Sequence, residues 1–295
     1  MADLIMGAGR EDGPQTATVP GLSGPLDQPG GAAGTRLRYG CGAPGIERLA
    51  ATLEGRPFSA HRHDTYAIGV TVAGVQTFEY RGRRHTCLPG EAHVLHPDEV
   101  HDGAAGTEQG FSYRILYLDP ALVCQVLGGK ALPFVADPVV ARPEVEPGLI
   151  AALHAMDEPL GALEAVELST MVATFLARRA GLGAGRRAPL PLEALQQVRD
   201  LITDDPAVDY GVQAFERISG LDRWTLARRF REAFGTSPSR FRTMRRLDRA
   251  RRLAREGRPL AEAALDAGFA DQSHLTRMFK RAYGLTPACW LSAQV

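Results

Sequence analysis

Two segments of the sequence carry hydrogen-bonding side chains of the same kinds at matching positions. Residues 219–238 read SGLDRWTLARRFREAFGTSP, and residues 267–287 read AGFADQSHLTRMFKRAYGLTP. Arginine can bridge O6 and N7 of guanine, while Gln, Ser and Thr offer smaller donor–acceptor pairs. Basic residues further along each segment would meet phosphates, which position a protein without reading sequence. The residues predicted to contact DNA are Arg223, Trp224, Thr225, Arg228, Arg231, Gln272, Ser273, His274, Thr276, Arg277, Lys280 and Arg281.

An internal repeat of about 48 residues places these side chains, as expected of a duplicated supersecondary unit. Gly220 corresponds to Gly268, and the turn that follows is one residue longer in the second copy. One arginine-rich face could be an ordinary solvated surface, but two such faces in register favour DNA binding. Beyond the turn, the matching pairs are Leu226 with Leu275, Arg228 with Arg277, Phe230 with Phe279, Gly235 with Gly284, and Pro238 with Pro287.

Each copy is predicted to form a helix, a tight turn and a second helix. Residues 212–218 and 260–267 suit short helices, and the glycine after each suits the positive φ at which a chain leaves a helix. Asp222 and Asp271 can then accept hydrogen bonds from the first amides of a new helix. This order is the helix-turn-helix signature, whose second helix enters the DNA major groove. Its buried stripe in the first copy would be Leu226, Phe230 and Phe234.

One helix over residues 239–256 is predicted to join the two copies, with Pro238 at its first turn and Gly257 at its end. About 18 residues at 1.5 Å each span roughly 27 Å, close to the ~34 Å between successive major-groove segments on one DNA face. Asp248 and Glu256 should pair with some of its arginines, so only part of that set is expected to contact DNA. The apolar seam would be Phe241, Met244, Leu247, Ala250 and Leu253, and the arginines are Arg240, Arg242, Arg245, Arg246, Arg249, Arg251, Arg252 and Arg255.

The second copy carries the most specific motif of the chain. Gly-Phe-Ala-Asp-Gln-Ser-His-Leu at residues 268–275, Phe-Lys-Arg at 279–281 and Gly-Leu-Thr-Pro at 284–287 resemble the C-terminal signature of AraC-type (AraC/XylS family) transcriptional regulators. The resemblance covers roughly residues 192–295. It implies two helix-turn-helix units on one long helix, with recognition helices in successive major-groove segments. Ala227 departs from relatives that often have a longer polar side chain there, so no base contact is assigned to it.

Charge divides the chain into an acidic and a basic part, although the total formal charge is zero. Residues 212–295 contain 17 Lys and Arg against 8 Asp and Glu, a net +9, and residues 1–211 contain 17 against 26, a net −9. This split indicates a basic nucleic-acid-binding module attached to an acidic partner domain.

The four cysteines show no paired metal-ligand spacing. This argues against a DNA-repair methyltransferase, a relative of this DNA-binding module that needs a clustered cysteine metal site. No segment resembles a signal peptide, and no apolar run reaches membrane-spanning length. We therefore expect a cytoplasmic protein with free thiols and no membrane partner.

Short alternating runs between residues 34 and 119, separated by Gly, Pro or Asp, predict closely spaced strands and hence a small barrel or jelly roll. His61-Arg62-His63, Leu-Pro-Gly-Glu at 88–91, His96-Pro97 and Val100-His101 resemble the cupin-type sensor domain of AraC-family regulators, over about residues 43–120. The expected fold class is α+β multidomain: a cupin-like N-terminal barrel or jelly roll with a helical pair, then an all-α double helix-turn-helix. The candidate strands are 46–53, 66–73, 76–80, 83–88, 92–95 and 112–117.

Three roles are open for His61, His63 and His101 if adjoining strands bring them together. They could ligate a catalytic metal, hydrogen-bond within the barrel mouth, or contact a small effector. Metal-dependent cupin enzymes carry a glutamate shortly after the second histidine, where this chain has Ala67 and Ile68. We therefore expect no metal, no cofactor and no catalytic residue. A metal-dependent cupin enzyme fused to a DNA-binding module is the alternative.

A small barrel can enclose one ligand, and aromatic side chains with polar atoms suit its lining. Arg114 could bind a carboxylate or lie on the strand surface. Strand parity decides which side chains face inward, and one sequence leaves that parity open. The predicted effector-binding residues are His61, His63, Tyr66, Phe78, Tyr80, His101 and Tyr113.

Four segments are predicted. Residues 1–34, rich in Gly and Pro, form a disordered tail; residues 35–137 form the sensor domain; residues 138–183 form a helical dimerisation and linker region; residues 192–295 form the DNA-binding domain. Helices are expected over 121–127, 147–156, 160–181 and 192–203, with a linker at 181–191. The wide apolar stripe of 160–181 either packs on its own domain or forms a dimer, as the family resemblance implies.

The expected function is sequence-specific transcriptional regulation in response to a small-molecule effector, with its direction unassigned. The expected partners are double-stranded promoter DNA, the effector, a second copy of the chain in a homodimer, and RNA polymerase.

Overall fold

The computed structural model describes residues 36–53, 58–182 and 190–292 of the 295-residue chain. The predicted tail at 1–34 and most of the predicted linker at 181–191 lie outside the described residues. The described strands are β1 (Arg36–Tyr39), β2 (Ile46–Leu53), β3 (Phe58–His61), β4 (Tyr66–Gly74), β5 (Gln76–Tyr80), β6 (Arg83–Cys87), β7 (Ala92–Leu95), β8 (His101–Ala105), β9 (Phe111–Leu118) and β10 (Val139–Val140).

These strands form two antiparallel sheets, ordered β1-β2-β9-β4-β7-β10 and β3-β8-β5-β6. The fold class expected from the sequence is confirmed, and all six candidate strands are present with ends shifted by at most one residue. The sequence did not predict β1, β3, β8 and β10. Because β10 pairs with β7, the larger sheet continues past residue 137, where the sensor domain was expected to end.

The described part of the sensor half also contains helices α1 (Pro120–Val126), between β9 and β10, and α2 (Pro147–His154) and α3 (Ala162–Arg179), after β10. The apolar stripe of α3 packs on its own domain, since Val172, Phe175 and Leu176 are buried in one core with Ile68 and Leu116 of the larger sheet. Burying an aliphatic or aromatic side chain of this size contributes about 1.5–3 kcal/mol. The helical segment and the sandwich therefore stabilise each other.

Among the described residues 190–292, seven helices form the C-terminal part: α4 (Leu192–Asp204), α5 (Val212–Ser219), α6 (Arg223–Phe234), α7 (Pro238–Arg255), α8 (Leu260–Asp266), α9 (Gln272–Tyr283) and α10 (Pro287–Ser292). Gly220 and Gly268 leave α5 and α8 with φ of 66° and 85°. Asp222 accepts from the amides of Trp224 and Thr225, and Asp271 from that of His274. The predicted stripe of Leu226, Phe230 and Phe234 is buried. The double helix-turn-helix is therefore as the repeat predicted.

The joining helix α7 begins at Pro238, with the Ser237 side chain capping its first turn. Its buried seam contains four of the five predicted apolar residues, but Leu253 is only half-buried and Ala254 takes the inward position. None of the described helices is long and apolar enough to cross a membrane.

Candidate nucleic-acid interface and ligand cavity

The side chains predicted to contact DNA lie on outward faces of α6 and α9, and none of them is buried. Trp224, at the start of α6, is 79% exposed. Leu226 and Leu275, at equivalent positions of the repeat, anchor the opposite faces in the core. The same helical periodicity that buries one stripe therefore presents the other to solvent.

These exposed faces retain free positive charge. Arg223 is ion-paired with Glu216, with 3.1 Å between Nε and Oε1. Within the described part of the chain, the side chains of Arg228, Arg231 and Arg277 make no ion pair or hydrogen bond. Their guanidinium groups are thus available to bases or phosphates.

The sensor domain contacts the two helix-turn-helix units at equivalent positions of the repeat. Gly235 ends α6 and Gly284 ends α9, each with φ of 71°. A Cβ on Gly235 would lie 2.5 Å from Cβ of Pro97, and one on Gly284 would lie 3.0 Å from Nδ1 of His61. Ser59 Oγ also donates to the Gly284 carbonyl at 2.9 Å. These contacts are at the C-terminal ends of both recognition helices, so their N-terminal halves stay accessible.

Carboxylates of the sensor domain pair with arginines of α7. The three pairs are Arg240 with Asp98, Arg245 with Asp64 (2.9 Å) and Arg251 with Glu47 (2.9 Å). Asp248 also pairs with Arg245 and Arg251, and Glu256 with Arg252, as the sequence predicted. Arg242 and Arg249 pair with Asp209 and Asp205, and Arg246 donates to the carbonyls of Pro206 and Ala207. Three arginines of α7 therefore link it to the sensor domain, and four others contact residues within the DNA-binding domain.

A cavity of about 330 Å³ lies between the sandwich and the DNA-binding helices. The sandwich contributes imidazoles and aromatic rings, and α7, α9 and α10 form the facing wall. Side chains of the sandwich include Tyr39, Phe58, His61, His63, His93, His101, Phe111, Tyr113 and Tyr117; those of the facing wall include Phe241, Met244, Arg245, Asp248, Arg251, Tyr283 and Trp290.

The residues predicted to bind an effector divide into two groups. His61, His63, His101 and Tyr113 line this cavity, whereas Tyr66, Phe78 and Tyr80 do not. The Tyr66 hydroxyl donates to the carbonyl of Pro133 at 2.7 Å, the Tyr80 hydroxyl lies 2.6 Å from Nδ1 of His96, and Phe78 stacks on His85 with ring centroids 5.4 Å apart. Their strands place them away from the cavity, which the sequence could not show.

Several lining residues were not predicted. Phe111 and Tyr117 lie on the same face of β9 as Tyr113, so the two-residue period of a strand would have identified them once Tyr113 was chosen. His93 and all residues of α7 carried no such signal. Arg114, whose role was open, donates to the carbonyls of Leu153 and His154 at the end of α2 and lies outside the lining.

The histidines at the barrel mouth form a close group. The ring centroids of His61 and His63 lie 4.4 and 4.8 Å from that of His101. Burial lowers the pKa of all three imidazoles, and that of His63 to about 3. Because a carbonyl oxygen only accepts, a ring nitrogen facing one must carry the proton, which leaves Nε2 with the lone pair. The contacts are Nδ1 of His61 to Ser59 (2.9 Å), of His63 to Thr65 (3.0 Å) and of His101 to Glu99 (2.9 Å), all to main-chain oxygens.

In the described ranges 36–53, 58–182 and 190–292, no group of three or more His, Cys, Asp or Glu side chains is placed to hold a metal ion. The alternative of a metal-dependent enzyme therefore gains no support from the arrangement of these side chains. The cysteines are free thiols, exposed at Cys41 and buried at Cys87, Cys124 and Cys289.

Comparison with known proteins identifies a known domain family in each half of the chain. An AraC-like ligand binding domain matches residues 43–173, and a helix-turn-helix domain matches residues 216–293. YbfI of Bacillus subtilis, an uncharacterized HTH-type transcriptional regulator, is 26% identical over 223 residues, which are 74% of this chain and 81% of YbfI. The HTH-type transcriptional regulator RipA of Corynebacterium glutamicum is 32% identical over 107 residues, which are 36% of this chain and 32% of RipA.

Among solved structures, ToxT from Vibrio cholerae superimposes with a TM-score of 0.60 over 84% of this chain and 98% of ToxT. At 12% identity this similarity indicates a shared fold only. With the two domain matches and the observed double helix-turn-helix, the chain belongs to the AraC family of transcriptional regulators.

Proposed function

We propose that this protein binds specific promoter sequences through α6 and α9, and that a small molecule in the cavity between the two halves changes that binding. One observation carries the proposal. Helix α7 both joins the two helix-turn-helix units and forms a wall of the cavity. A ligand in the cavity therefore touches the element that sets the spacing of the two DNA-reading faces.

Base reading is assigned to the N-terminal halves of α6 and α9. Arg228 and Arg277 occupy equivalent positions of the repeat and are exposed on both helices. Each can bridge a guanine edge in its own major-groove segment. Arg231, Lys280 and Arg281 lie towards the C-terminal ends, where they would contact phosphates and set the register.

Response to an effector requires that the ligand bind one domain arrangement better than another. The position of the cavity supports such a preference, because its two walls belong to different halves of the chain. A ligand that contacts Arg245, Arg251 or their carboxylate partners Asp64 and Glu47 would change these ion pairs. Effector binding would thus alter the contacts that fix the orientation of α7.

The cavity suits a small molecule rather than a macromolecule, since about 330 Å³ is at the lower end of ligand pockets. A structure of ToxT from Vibrio cholerae has an unsaturated fatty acid bound, which supports a small-molecule ligand for a protein of this fold. The revised effector-binding set is His61, His63, His93, His101, Tyr113 and Tyr117. A regulator of this kind acts in the cytoplasm and requires no catalytic residue.

Homodimerisation through α3 stays a prediction, as does contact with RNA polymerase. Leu163 and Val166 on the outer side of α3 are 67% and 61% exposed, which supports a second copy as their partner. Light scattering should show that Val166→Glu converts a dimer to a monomer. Leu265→Glu on α8, a residue exposed to the same extent, is the matched control and should leave the mass unchanged.

The proposed function is tested by selecting bound duplexes from a random DNA pool. We expect a bipartite motif, and genes beside its genomic copies should then suggest the effector. An Arg228→Ala, Arg277→Ala double variant should recover no motif while still binding DNA weakly. A pool that remains unenriched with the wild-type protein at every ionic strength would exclude sequence-specific binding.

A further inference from the structure

We infer that the effector of this cavity is an organic cation, a small molecule with a protonated amine or related nitrogen donor. The inference rests on the proposed function and adds the chemical class of its ligand. It follows from three properties of the cavity: the hydrogen-bonding groups that it presents, the charge of its walls, and its aromatic faces.

The cavity presents acceptors rather than donors from its histidines. His61, His63 and His101 each use Nδ1–H on a main-chain carbonyl, so the lone pair at Nε2 is left to accept. His93, 1% exposed and also in the lining, has an Nδ1 with no partner among the described residues. A buried polar atom without a partner is costly, and a ligand that hydrogen-bonds to this nitrogen would remove the cost.

The charged side chains of the lining are mainly acidic. The lining has a formal charge of −3, because its two cations are Arg245 and Arg251 and its five anions are Glu47, Asp64, Asp102, Asp119 and Asp248. Arg199, which lies outside the lining, neutralises Asp119 and reduces the excess to two negative charges. Both lining arginines already pair with carboxylates, so an anionic ligand would have to break existing ion pairs. Asp102 has no ion pair among the described residues, although its Oδ1 accepts from the amide of Glu79 at 2.6 Å.

Aromatic faces complete the site. Tyr113 and Tyr117 project from one face of β9 into the lining, beside Phe111. The ring of Tyr117 lies 5.2 Å from that of His63 at an interplanar angle of 84°, so an aromatic ring stands next to an imidazole acceptor. A cation above an aromatic face is attracted to the ring electrons, and more strongly where water is excluded.

The protonation state of the histidines agrees with this arrangement. Burial lowers the pKa of His93 to about 4 and that of His63 to about 3, so both rings are neutral near pH 7. Neutral imidazoles accept from an ammonium group without repelling it. An anion would instead face the Nε2 lone pairs of His61, His63 and His101.

The test compares probes of equal shape and different charge by calorimetry and thermal shift with the full-length protein. One set is benzylamine, benzyl alcohol and benzoate; the other is hexylamine, hexanol and hexanoate. We expect saturable binding and an increase in melting temperature with at least one amine, and none with its matched alcohol or acid. Preference for an acid or an alcohol, or the absence of binding by both amines, would overturn the inference.

Two conservative variants locate the binding site. Asp102→Asn keeps an acceptor for the Glu79 amide but removes the charge, and should weaken amine binding about tenfold. Asp137→Asn is its control, because Asp137 also accepts one main-chain amide but lies outside the lining. His101→Asn keeps a donor near Glu99 and removes the Nε2 acceptor, so it should also weaken binding. His154→Asn, on the exposed end of α2, should not. Equal binding by Asp102→Asn and Asp137→Asn would contradict a cation site here.

The outcomes for ligand class and for proposed function are separable. Binding of acids together with an enriched DNA motif would overturn the cation inference and leave the regulatory function standing. Binding of amines by a protein that selects no DNA sequence would do the reverse.

Discussion

Asp64 of the sensor domain and Arg245 of α7 form an ion pair in the wall of the cavity, with 2.9 Å between Oδ2 and Nη2. The two sides of this pair differ. Asp64 has no second cation within ion-pairing distance among the described residues, whereas Arg245 also pairs with Asp248 at 3.0 Å. Burial is the larger influence on Asp64 and raises its pKa to about 6, with Arg245 opposing it.

This asymmetry predicts unequal effects of removing either partner. Arg245→Gln leaves a buried carboxylate without its cation and should lower the free energy of unfolding by about 3 kcal/mol. Asp64→Asn leaves Arg245 with Asp248 and should cost about 1 kcal/mol or less. Urea denaturation at pH 7 measures both, with Glu262→Gln in the exposed pair with Arg258 as a control of negligible effect. Equal losses for the two variants would show that the pair does not have this asymmetry.

Docking of the sensor on the first helix-turn-helix unit can be tested with two glycines. Gly220 and Gly235 have φ of 66° and 71°, so alanine strains the main chain equally at both, by about 1 kcal/mol. A Cβ at Gly220 would meet nothing within 4 Å, but at Gly235 it would lie 2.5 Å from Pro97. Gly235→Ala should therefore cost about 1–3 kcal/mol more than Gly220→Ala in thermal unfolding. Identical losses would mean that Gly235 does not touch the sensor domain in solution.

Base reading and phosphate binding predict different responses from two arginines of α6. Arg228→Ala should weaken binding to the selected sequence by about 1–3 kcal/mol and weaken random DNA much less. Arg231→Ala should weaken both equally and reduce the slope of log affinity against log salt by about 1. Fluorescence anisotropy at several salt concentrations distinguishes them. A uniform loss for Arg228→Ala would assign this residue to phosphate as well.

The buried histidines predict instability in acid. His93 is neutral in the folded protein with a pKa of about 4, below its ordinary value because of burial alone. The unfolded chain therefore binds a proton more readily, so the stability that this group contributes is present above about pH 6.5 and declines as pH falls towards 4. At pH 5 the loss from His93 is about 2 kcal/mol. His93→Leu should flatten the pH dependence of unfolding between pH 5 and 6.5, and His154→Leu on the surface should not. An unchanged slope in His93→Leu would contradict a buried neutral imidazole.

The helix-turn-helix units can be predicted from sequence because their determinants are local. Gly220, Asp222 and the stripe from Leu226 to Phe234 fix a turn, a cap and a buried face within 15 residues of chain. The long strands of the sandwich are likewise predictable from alternation. Short strands such as Phe58–His61 are not, because four residues give too little alternation to recognise.

The cavity has no comparable local signal. Its wall joins residues as distant in sequence as Asp64 and Arg245, 181 positions apart. Tyr66 and Tyr113, both predicted to bind the effector, lie on paired strands, but only the orientation of each side chain on its strand decides that Tyr113 lines the cavity and that the Tyr66 hydroxyl turns to Pro133. Sequence supplies the residue types, and the docking of the two halves supplies the site.

The proposed DNA-binding mode is tested most directly by equilibrium binding to duplexes that differ only in the spacing of the two selected half-sites. We propose that α7 keeps α6 and α9 on one face of DNA, so moving one half-site by about five base pairs, half a helical turn, should cost as much affinity as deleting it. Moving the half-site by about ten base pairs, one full helical turn, should not recover full affinity either, because α7 has a fixed length. If affinity is unaffected by the half-turn displacement, the two helices do not read DNA together, which contradicts the proposed binding mode.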